Sequence, residues 1–509
     1  MRSERRKLAS VGSATIVISL GTFFGILINA VKAIVIAKYF GTGSHLDAYF
    51  VAMILPLVLS GILVASMQTS IIPIFVEYHA KGKEQDAFDL FHSFLTISLA
   101  LFVGIGLLLI SFSRPIVSML APGIQDDRLV LASRLLIIIT PTILVGGACD
   151  IIGSLFNATK RFAVPAFGGA INILVSLVFL VIWKSQGVFA LAYGALLGSF
   201  VHFIYLIVGA RFAGLRIALS RNIYGPGIKR VLLLMIPMLL GATFSNINIT
   251  VDQIMASGLS PGSIASLNYA NNINSFLGQM FVFSMGAAIL PFFSQQIAEG
   301  RLEDMKKTFS AAVRMGLFLL TPITVFIVVL GTPIIRIIFE RGAFDSNSTA
   351  AVSGALKAFA LGLPVMSIGI MVVRVFTSLQ MTRLIAGVAF ANIFINISMN
   401  AILMRSLGHV GIALSTSITY FFSTMLLLYF MGRRVGKIPI EEIAIPACKV
   451  GAISTLMGIV LYTAKRSLSG DTLPDVFLLG CFGVLFYIFL SWLWKVDEWQ
   501  VLFRQVLGR

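Results

Sequence analysis

Apolar segments long enough to cross a bilayer, roughly 20 residues each, recur along almost the whole chain. Of the 509 residues, 58% are hydrophobic and only 12% are charged, against about 25% charged in a soluble domain. Only α-helices and closed barrels satisfy their backbone groups in hydrocarbon, and barrel strands alternate polar and apolar residues. The continuous apolar segments therefore predict an all-α polytopic membrane protein.

The apolar segments predict about 14 transmembrane helices. Six lie in the first half of the chain, at 11–37, 48–72, 89–112, 131–156, 163–183 and 188–209. Six more follow at 230–256, 265–291, 309–330, 351–379, 384–404 and 409–431. The last two, at 443–463 and 473–494, have no counterpart in the first half.

The two sets of six helices are tandem copies of one unit. Ile72-Pro73-Ile74-Phe75 returns as Leu290-Pro291-Phe292-Phe293, and Pro115-Ile116-Val117 returns as Pro333-Ile334-Ile335, both 218 positions later. Duplicated membrane halves with a polar site between them are typical of alternating-access transporters. We predict an N-terminal six-helix lobe at 1–210, a basic cytoplasmic or interfacial linker at 211–229, a second six-helix lobe at 230–432, and two extra helices with a tail at 433–509.

The net charge of +17 fits the bias expected of a membrane protein. Lys and Arg collect in the loops on the same side as the basic N-terminus, which places both termini in the cytoplasm. No soluble segment is long enough to bind nucleic acid, so that partner is not expected. The sequence contains no GxxxxGK[ST], HExxH or CxxC, so we expect no ATPase, metal site or catalytic residue.

Polar residues inside the predicted spans are the candidates for a binding site, because such groups are costly in hydrocarbon and usually face a cavity. We predict a central cavity lined mainly by the first, second, seventh and eighth helices, with one arginine from the tenth. Its residues are Asn29, Lys32, Asp47, Gln68, Asn248, Asp252, Asn268, Asn271, Asn272, Gln279 and Arg374.

These candidates also have structural alternatives. Asn and Gln in membrane helices often only hydrogen-bond neighbouring helices, which we favour for Asn392, Asn396 and Asn400. Asp47 stands where a carboxylate caps a helix start, and Lys32 is close enough to its helix end to snorkel. Arg374 lies in mid-span, where Asp252 or Asp150 are candidate partners.

Several motifs resemble the MurJ (MviN) family of lipid II flippases, a branch of the multidrug/oligosaccharidyl-lipid/polysaccharide exporter superfamily. They are Phe40-Gly41-Thr42-Gly43, Asp47-Ala48-Tyr49-Phe50-Val51-Ala52, Ile72-Pro73-Ile74-Phe75-Val76-Glu77-Tyr78, Ala121-Pro122-Gly123 and Asn157 to Phe167. The resemblance covers essentially the whole chain, including the 14 predicted spans.

The resemblance implies a flippase, not an enzyme, in the bacterial inner membrane. Its substrate would be a polyprenyl-diphosphate-linked glycan, moved from the inner to the outer leaflet while the lobes open alternately. Cations in the central cavity would bind the diphosphate, and the last two helices would form a groove for the lipid tail. Membrane lipids would surround it, and cell-wall or polysaccharide synthases are candidate partners.

The chain departs from the family at its expected cavity arginines. Lys32 keeps one basic position of the first helix, and Arg374 matches a basic position usually held by lysine. Uncharged residues stand at other positions where the family has charge: Ile26, Ile54, Ser60, Asn271 and Asn272. The substrate is therefore expected to be lipid II or a related lipid-linked saccharide, such as an exopolysaccharide or O-antigen unit.

Two other functions stay open at this point. The chain could be a cation-coupled multidrug antiporter with Asp252 as its coupling carboxylate, although that class generally has 12 spans. It could also be a non-transporting scaffold for cell-envelope synthases. For a flippase we expect no cofactor, with transport driven by the membrane potential or by H+ or Na+ near Asp252 or Asp47.

Overall fold

A computed structural model describes residues 2–124, 127–222, 227–467 and 472–500 of the chain. Within these ranges the chain forms 18 α-helices and no strand. The helices are α1 Arg2–Phe40, α2 Ser44–Ala80, α3 Glu84–Ser111, α4 Ser113–Leu120, α5 Asp127–Ile139, α6 Pro141–Ala158, α7 Ala163–Ile182, α8 Phe189–Phe212, α9 Ile228–Ala256, α10 Ser263–Leu277, α11 Ser284–Ala298, α12 Leu302–Phe339, α13 Ser346–Ala360, α14 Leu363–Ser378, α15 Thr382–Leu407, α16 His409–Val435, α17 Ile440–Ser467 and α18 Leu473–Leu493.

The predicted all-α membrane fold is confirmed. Among the described residues, 12 helices are long and apolar enough to cross a membrane, or 13 when α13 and α14 count as one bent span. The seventh predicted span coincides with α9, a further helix of 29 residues. Helix α12 has 38 residues, about 57 Å at 1.5 Å per residue, so its ends project beyond the hydrocarbon.

The chain packs as two compact units, Met1–Pro261 and Gly262–Arg509. In the first unit, α2, α3 and α6 surround a core rich in phenylalanine, and α1 packs against α7. The approach of α1 to α7 requires Gly21, because a Cβ there would lie 2.6 Å from the Ala166 carbonyl oxygen. In the second unit, α12 is central and contacts α13, α14 and α17.

Helix α9 packs with the first unit, although the sequence repeat makes it the first helix of the second copy. It lies along α2, and Arg230 at its start forms an ion pair with Glu77 of α2 (2.8 Å). Lys81 also donates to Glu77 (2.6 Å). Both ion pairs are exposed, so they add little stability. The two compact units therefore meet after α9 in the chain, whereas the second copy of the sequence repeat begins at the start of α9.

The segment between α8 and α9 follows α3 without forming a helix over the described residues 213–222. The backbone N–H of Ser220 donates to Thr96 Oγ1 (2.9 Å), and Ser93 donates to the carbonyl of Asn222 (2.7 Å). Side chains of α3 thus supply the hydrogen bonds that a helix would otherwise have supplied.

The tenth predicted span is broken into α13 and α14, which are bent by 42°. Pro364 has no N–H to donate to the Ala360 carbonyl one turn earlier, and Thr324 of α12 donates to it instead (3.0 Å). Ser417 of α16 donates to the Ala358 carbonyl at the same break (2.7 Å). Hydroxyl groups of neighbouring helices therefore satisfy the carbonyls that the break exposes.

The last two helices are attached to α12 through two further carbonyls that prolines leave free. Pro322 and Pro333 lie inside α12, so the carbonyls of Phe318 and Val329 have no intrahelical donor. Tyr487 of α18 donates to Phe318 (2.7 Å), and Lys465 of α17 donates to Val329 (3.4 Å). The prolines thus create the acceptors by which α17 and α18 recognise α12.

Replacing Tyr487 by Phe should destabilise the second unit by about 1 kcal/mol, the usual contribution of one such hydrogen bond. The loss should be less than half as large in a Pro322→Ala background, because alanine at this position restores an N–H that can donate to the Phe318 carbonyl. The measurement is the free energy of unfolding in detergent for all four members of the cycle.

Tyr193→Phe is the matched control, because Tyr193 is exposed on α8. It should leave the stability unchanged. Equal costs of Tyr487→Phe in both backgrounds would show that the proline does not create the acceptor.

Candidate functional site

Lys32 of the first unit is half-buried and points at α7. Its ammonium group donates to the Ser176 hydroxyl (2.8 Å), and no described carboxylate of its own unit forms a salt bridge with it. Gly194 of α8 allows α8 to pack closely on α7 at Ser176, because a Cβ there would lie 3.0 Å from the Ser176 carbonyl oxygen. An ammonium group has three donors, so Lys32 retains donors for an anion. Asn29, three residues earlier, is exposed.

The other candidates of the first unit are spread along its height. Asp47 is buried near the start of α2, and Asp252 lies near the end of α9, at the same end of the unit. Gln68 lies 21 residues after Asp47, about 32 Å along the helix, where its amide donates to the Asp150 carbonyl of α6 (3.3 Å). Asn248 carries a buried side-chain oxygen without a hydrogen-bond partner. These residues therefore do not form one compact cluster.

The polar residues of α10 lie on the face that the second unit leaves uncovered. Asn272 of α10 is exposed, as is Gln279 two residues beyond the end of α10, and Asn268 and Asn271 are half-buried. Two hydrogen bonds of this stripe stay within α10: Asn268 donates to the Ile264 carbonyl, and Ser275 donates to Asn271. In the described part of the second unit, the stripe does not hold helices together.

The asparagines of α15 behave differently. Asn396 and Asn400 are buried, Asn392 donates to Ser423 of α16 (3.0 Å), and Ser415 of α16 donates to the Asn396 carbonyl. Asn392 therefore joins α15 to α16 through its side chain and Asn396 through its backbone carbonyl, whereas Asn400 donates to Asn396 Oδ1 within α15 (3.2 Å). Asn392 thus holds two helices together, whereas the hydrogen bonds of Asn268 and Asn271 stay within α10.

Arg374 is half-buried on α14 beside α11. A Cβ on Gly286 of α11 would lie 3.2 Å from its Nε, so the glycine makes room for the guanidinium group. The buried Nε has no hydrogen-bond partner, and no described salt bridge of the second unit includes Arg374. A buried N–H without a partner costs free energy, so this arginine has unused capacity to bind an anion.

The span that carries the stripe is interrupted by a π-helical segment at Gly278–Phe283, between α10 and α11. Such segments are rare and are often found at functional sites. Gln279 is the second residue of this segment. Sequence reasoning predicted Gln279 but missed the π-helical segment, because a π-helix has no residue pattern of its own.

The predicted set included Gln279 but omitted Asn274, which is buried. Its side chain is 6% exposed, and its Oδ1 has no partner. In the sequence it flanks the stripe, and its burial depends on the packing of α10 against α13 and α16. Among the described residues, no group of His, Cys, Asp and Glu could hold a metal ion.

The fold and the cationic and polar residues within its helices define a membrane transporter with duplicated helical units. A multidrug resistance MATE family transporter of the MOP superfamily, in an inward-facing conformation, has a similar fold, with a TM-score of 0.68 and 14% identity over 83% of this chain and 98% of that one. A solved structure described as lipid II flippase MurJ in an inward closed conformation is more similar, with a TM-score of 0.81 and 26% identity over 97% of this chain and 100% of that one.

A family model described as lipid II flippase MurJ matches residues 36–482. The chain belongs to this family, and the predicted resemblance is confirmed. Relatives described as probable lipid II flippase MurJ include a Rickettsia prowazekii protein, 27% identical over 89% of this chain and 90% of that protein. A Vibrio cholerae protein is also 27% identical, over 81% of each chain.

Cysteines introduced at Asn272 and Gln279 should react with a hydrophilic, membrane-impermeant thiol reagent, because both side chains are uncovered and polar. The measurement is the labelled fraction of single-cysteine variants in membranes, with the reagent added from each side. The variants with an introduced cysteine all lack the native Cys149, Cys448 and Cys481.

Two controls bracket the result. Asn274→Cys should stay unlabelled because the position is buried. A variant that keeps only the native Cys481, which is exposed on the apolar helix α18, should also stay unlabelled because hydrocarbon excludes the reagent. If neither Asn272→Cys nor Gln279→Cys is labelled, the polar stripe faces lipid or packs against protein.

Proposed function

We propose that this protein translocates a polyprenyl-diphosphate-linked saccharide, lipid II or a related lipid-linked unit, from the inner to the outer leaflet by alternating access. The observation that carries the proposal is the family match over residues 36–482, which includes α17 and half of α18. Relatives of similar length that match most of the chain are named as lipid II flippases, and this substrate comes to the chain from them.

Two cations are the proposed binding groups for the diphosphate. Lys32 retains unused donors beside Ser176, and Arg374 has a buried Nε without a partner. A charge-assisted hydrogen bond to phosphate is stronger than a neutral one. The asparagine stripe of α10 is suited to the sugar hydroxyls, because an amide offers both donors and an acceptor.

Helices α17 and α18 are the proposed site of the lipid tail. A groove of about 770 Å³ lies along the end of α18 and is lined by Leu485, Ile488, Phe489, Ser491, Trp492, Leu493, Lys495, Trp499 and Gln500. Its apolar lining fits an isoprenoid chain, and a tryptophan and a lysine at its end fit the membrane interface. A long polyprenyl chain needs such a lateral groove because it cannot enter a closed polar cavity.

The remaining parts of the proposal follow from the same family. The protein is a transporter without catalysis of its own, in the bacterial inner membrane, with both termini in the cytoplasm. Synthases that use the translocated glycan are its proposed protein partners. The lobes proposed from the sequence repeat are 1–210 and 230–432, with the extra helices in 433–509.

The membrane potential is the proposed source of energy. Moving one charge across 100 mV is equivalent to about 2.3 kcal/mol, and a diphosphate carries negative charge outward, down the electrical gradient. A coupled H+ or Na+ at Asp252 or Asp47 is the alternative. The similar fold of the MATE transporter keeps the antiporter as a second candidate, but α17 and α18 have no role in a transporter of 12 spans.

Expression of this chain in a bacterium depleted of its own lipid II flippase should restore growth. The physical reason is that two cations and the amide stripe provide the charges and hydrogen bonds that the headgroup needs. The measurement is colony survival, with membrane expression confirmed in parallel. Lysis despite normal expression would exclude lipid II and leave another lipid-linked glycan as the cargo.

Removing both cations in Lys32→Gln/Arg374→Gln should slow translocation of the rescuing substrate at least about tenfold, because each charged hydrogen bond contributes roughly 1.5–3 kcal/mol and 1.4 kcal/mol is a factor of ten. The measurement is flipping in proteoliposomes. The control Lys184→Gln/Arg405→Gln removes the same charge elsewhere and should transport normally. Full transport by the first variant would contradict the assigned roles.

A further inference from the structure

Two lysines meet one turn of α12 near its C-terminal end. Lys357 of α13 donates to Thr332 Oγ1 (2.8 Å), and Lys465 of α17 donates to the Val329 carbonyl (3.4 Å). Val329 and Thr332 are three residues apart and therefore neighbours on the helix surface. The two ammonium groups consequently converge on the same small area of the second unit.

This turn of α12 is built to receive both side chains. Pro333 leaves the Val329 carbonyl without its intrahelical donor, which gives Lys465 an acceptor. Gly331 has no side chain, so the stem of Lys357 lies over it, and a Cβ there would be 3.5 Å from Lys357 Cε. Thr332 also donates to Ser353 of α13 (3.2 Å), which holds its hydroxyl in place for Lys357.

The charges of the two lysines are not neutralised within the described second unit. None of its described salt bridges includes Lys357 or Lys465. Glu340, at the end of the same helix, is already engaged by Arg336 (3.3 Å) and by the Thr349 hydroxyl (2.6 Å). Asp345 caps α13 through the N–H of Ser348 (2.8 Å).

Two like charges in a half-buried place repel each other, and an anion between them relieves that repulsion. Each ammonium group has three donors and uses one of them on the protein. Lys465 can therefore keep its bond to the Val329 carbonyl and offer its other two donors to a ligand. Both side chains are half-buried and thus remain reachable.

The depth of the pair matches the level of lipid phosphates. Thr332 lies just beyond the predicted span 309–330, and Lys465 lies just beyond 443–463. Lys357 is six residues inside the span 351–379, and its ammonium group reaches Thr332. Basic side chains at that level attract anionic lipid headgroups. With the N-terminus in the cytoplasm, this end of α12 faces the outer leaflet.

We propose that Lys357 and Lys465 form a binding site for the phosphate group of a lipid in the leaflet reached by the C-terminal end of α12. Thr332 positions Lys357, and the Val329 carbonyl positions Lys465. A phosphate offers several oxygen acceptors, so one group can accept from both ammonium ions. The bound lipid is either an anionic phospholipid or the diphosphate-linked cargo, which present the same chemistry.

Native mass spectrometry of the delipidated full chain in detergent tests this site. The probes are phosphatidylglycerol, undecaprenyl diphosphate and inorganic phosphate, each titrated separately. In Lys357→Gln/Lys465→Gln, the affinity for at least one of them should fall about tenfold, the loss expected for removal of a charged hydrogen bond. Lys357→Arg/Lys465→Arg keeps both charges and should bind nearly as well as the unsubstituted chain.

The matched control is Arg405→Gln/Arg466→Gln, which removes two charges from the same end of the second unit. Its affinities should stay within about twofold, since Arg405 is exposed and Arg466 lies over the ring of Tyr462 and neither faces the pair. If the double glutamine variant does not fold, Lys465→Gln alone should fold, because its ammonium group makes one long bond, and it should weaken binding measurably.

The probe that loses affinity identifies the ligand. A loss for phosphatidylglycerol indicates a bulk phospholipid, and a loss for undecaprenyl diphosphate indicates the cargo; each supports the lipid site. A loss for inorganic phosphate alone would indicate a soluble anion and would overturn the assignment to a lipid. Unchanged affinity for all three probes would overturn the proposal. Because the readout is binding, it stands apart from translocation, and a failure of flipping would not affect it.

Discussion

The second unit depends on how free backbone carbonyls are satisfied where water is scarce. Each proline inside a helix removes one N–H, and in hydrocarbon the carbonyl it leaves must find another donor. Here three such carbonyls, those of Phe318, Val329 and Ala360, receive hydrogen bonds from Tyr487, Lys465 and Thr324. Every one of these donors belongs to a different helix from its acceptor, so each proline also specifies a helix contact.

The same rule explains why a transporter can contain broken helices without losing its structure. The break between α13 and α14 is supported by α12 and α16. In the first copy, Thr142 donates to the Ile139 carbonyl at the break before Pro141 (2.6 Å). Pro141 and Pro364 are 223 positions apart, the same offset as Ala166 and Ala389. The duplication therefore preserved a proline at this place, although α5 and α6 count as one span whereas α13 and α14 are bent by 42°.

Much of the fold could be predicted from the sequence, because span length and apolar continuity are set by the bilayer rather than by tertiary contacts. The 14 spans and the tandem copies are of this kind. The sequence could not predict which unit α9 packs with. The repeat makes α9 part of the second copy, but its contacts are with α2 of the first unit. The division of the tenth span was missed although Pro364 was visible, because a proline in a membrane helix is compatible with a kink as well as with a break.

The sequence predicted the candidate site only as a set of polar and charged residues whose burial in a membrane costs free energy. The sequence shows that Lys32 and Arg374 are charged residues within membrane spans. It does not indicate that Ser176 and Gly286 contact them, because small residues are common in such spans. The structure separates the costly residues by what they contact. Asn392 of α15 donates to Ser423 of α16, whereas Arg374 keeps a buried Nε without a partner and the exposed Asn272 of α10 stays uncovered.

The unused donors of Lys32 and Arg374 suggest how the proposed cavity could function without the further arginines that the family resemblance leads us to expect. A diphosphate needs only as many cations as its charge requires, and further arginines add affinity that must be overcome at release. A cavity with few cations and many amides would hold its cargo less tightly and would release it more readily. Because the outward step moves negative charge down the membrane potential, weaker binding is compatible with transport as long as Lys32 and Arg374 keep their unused donors.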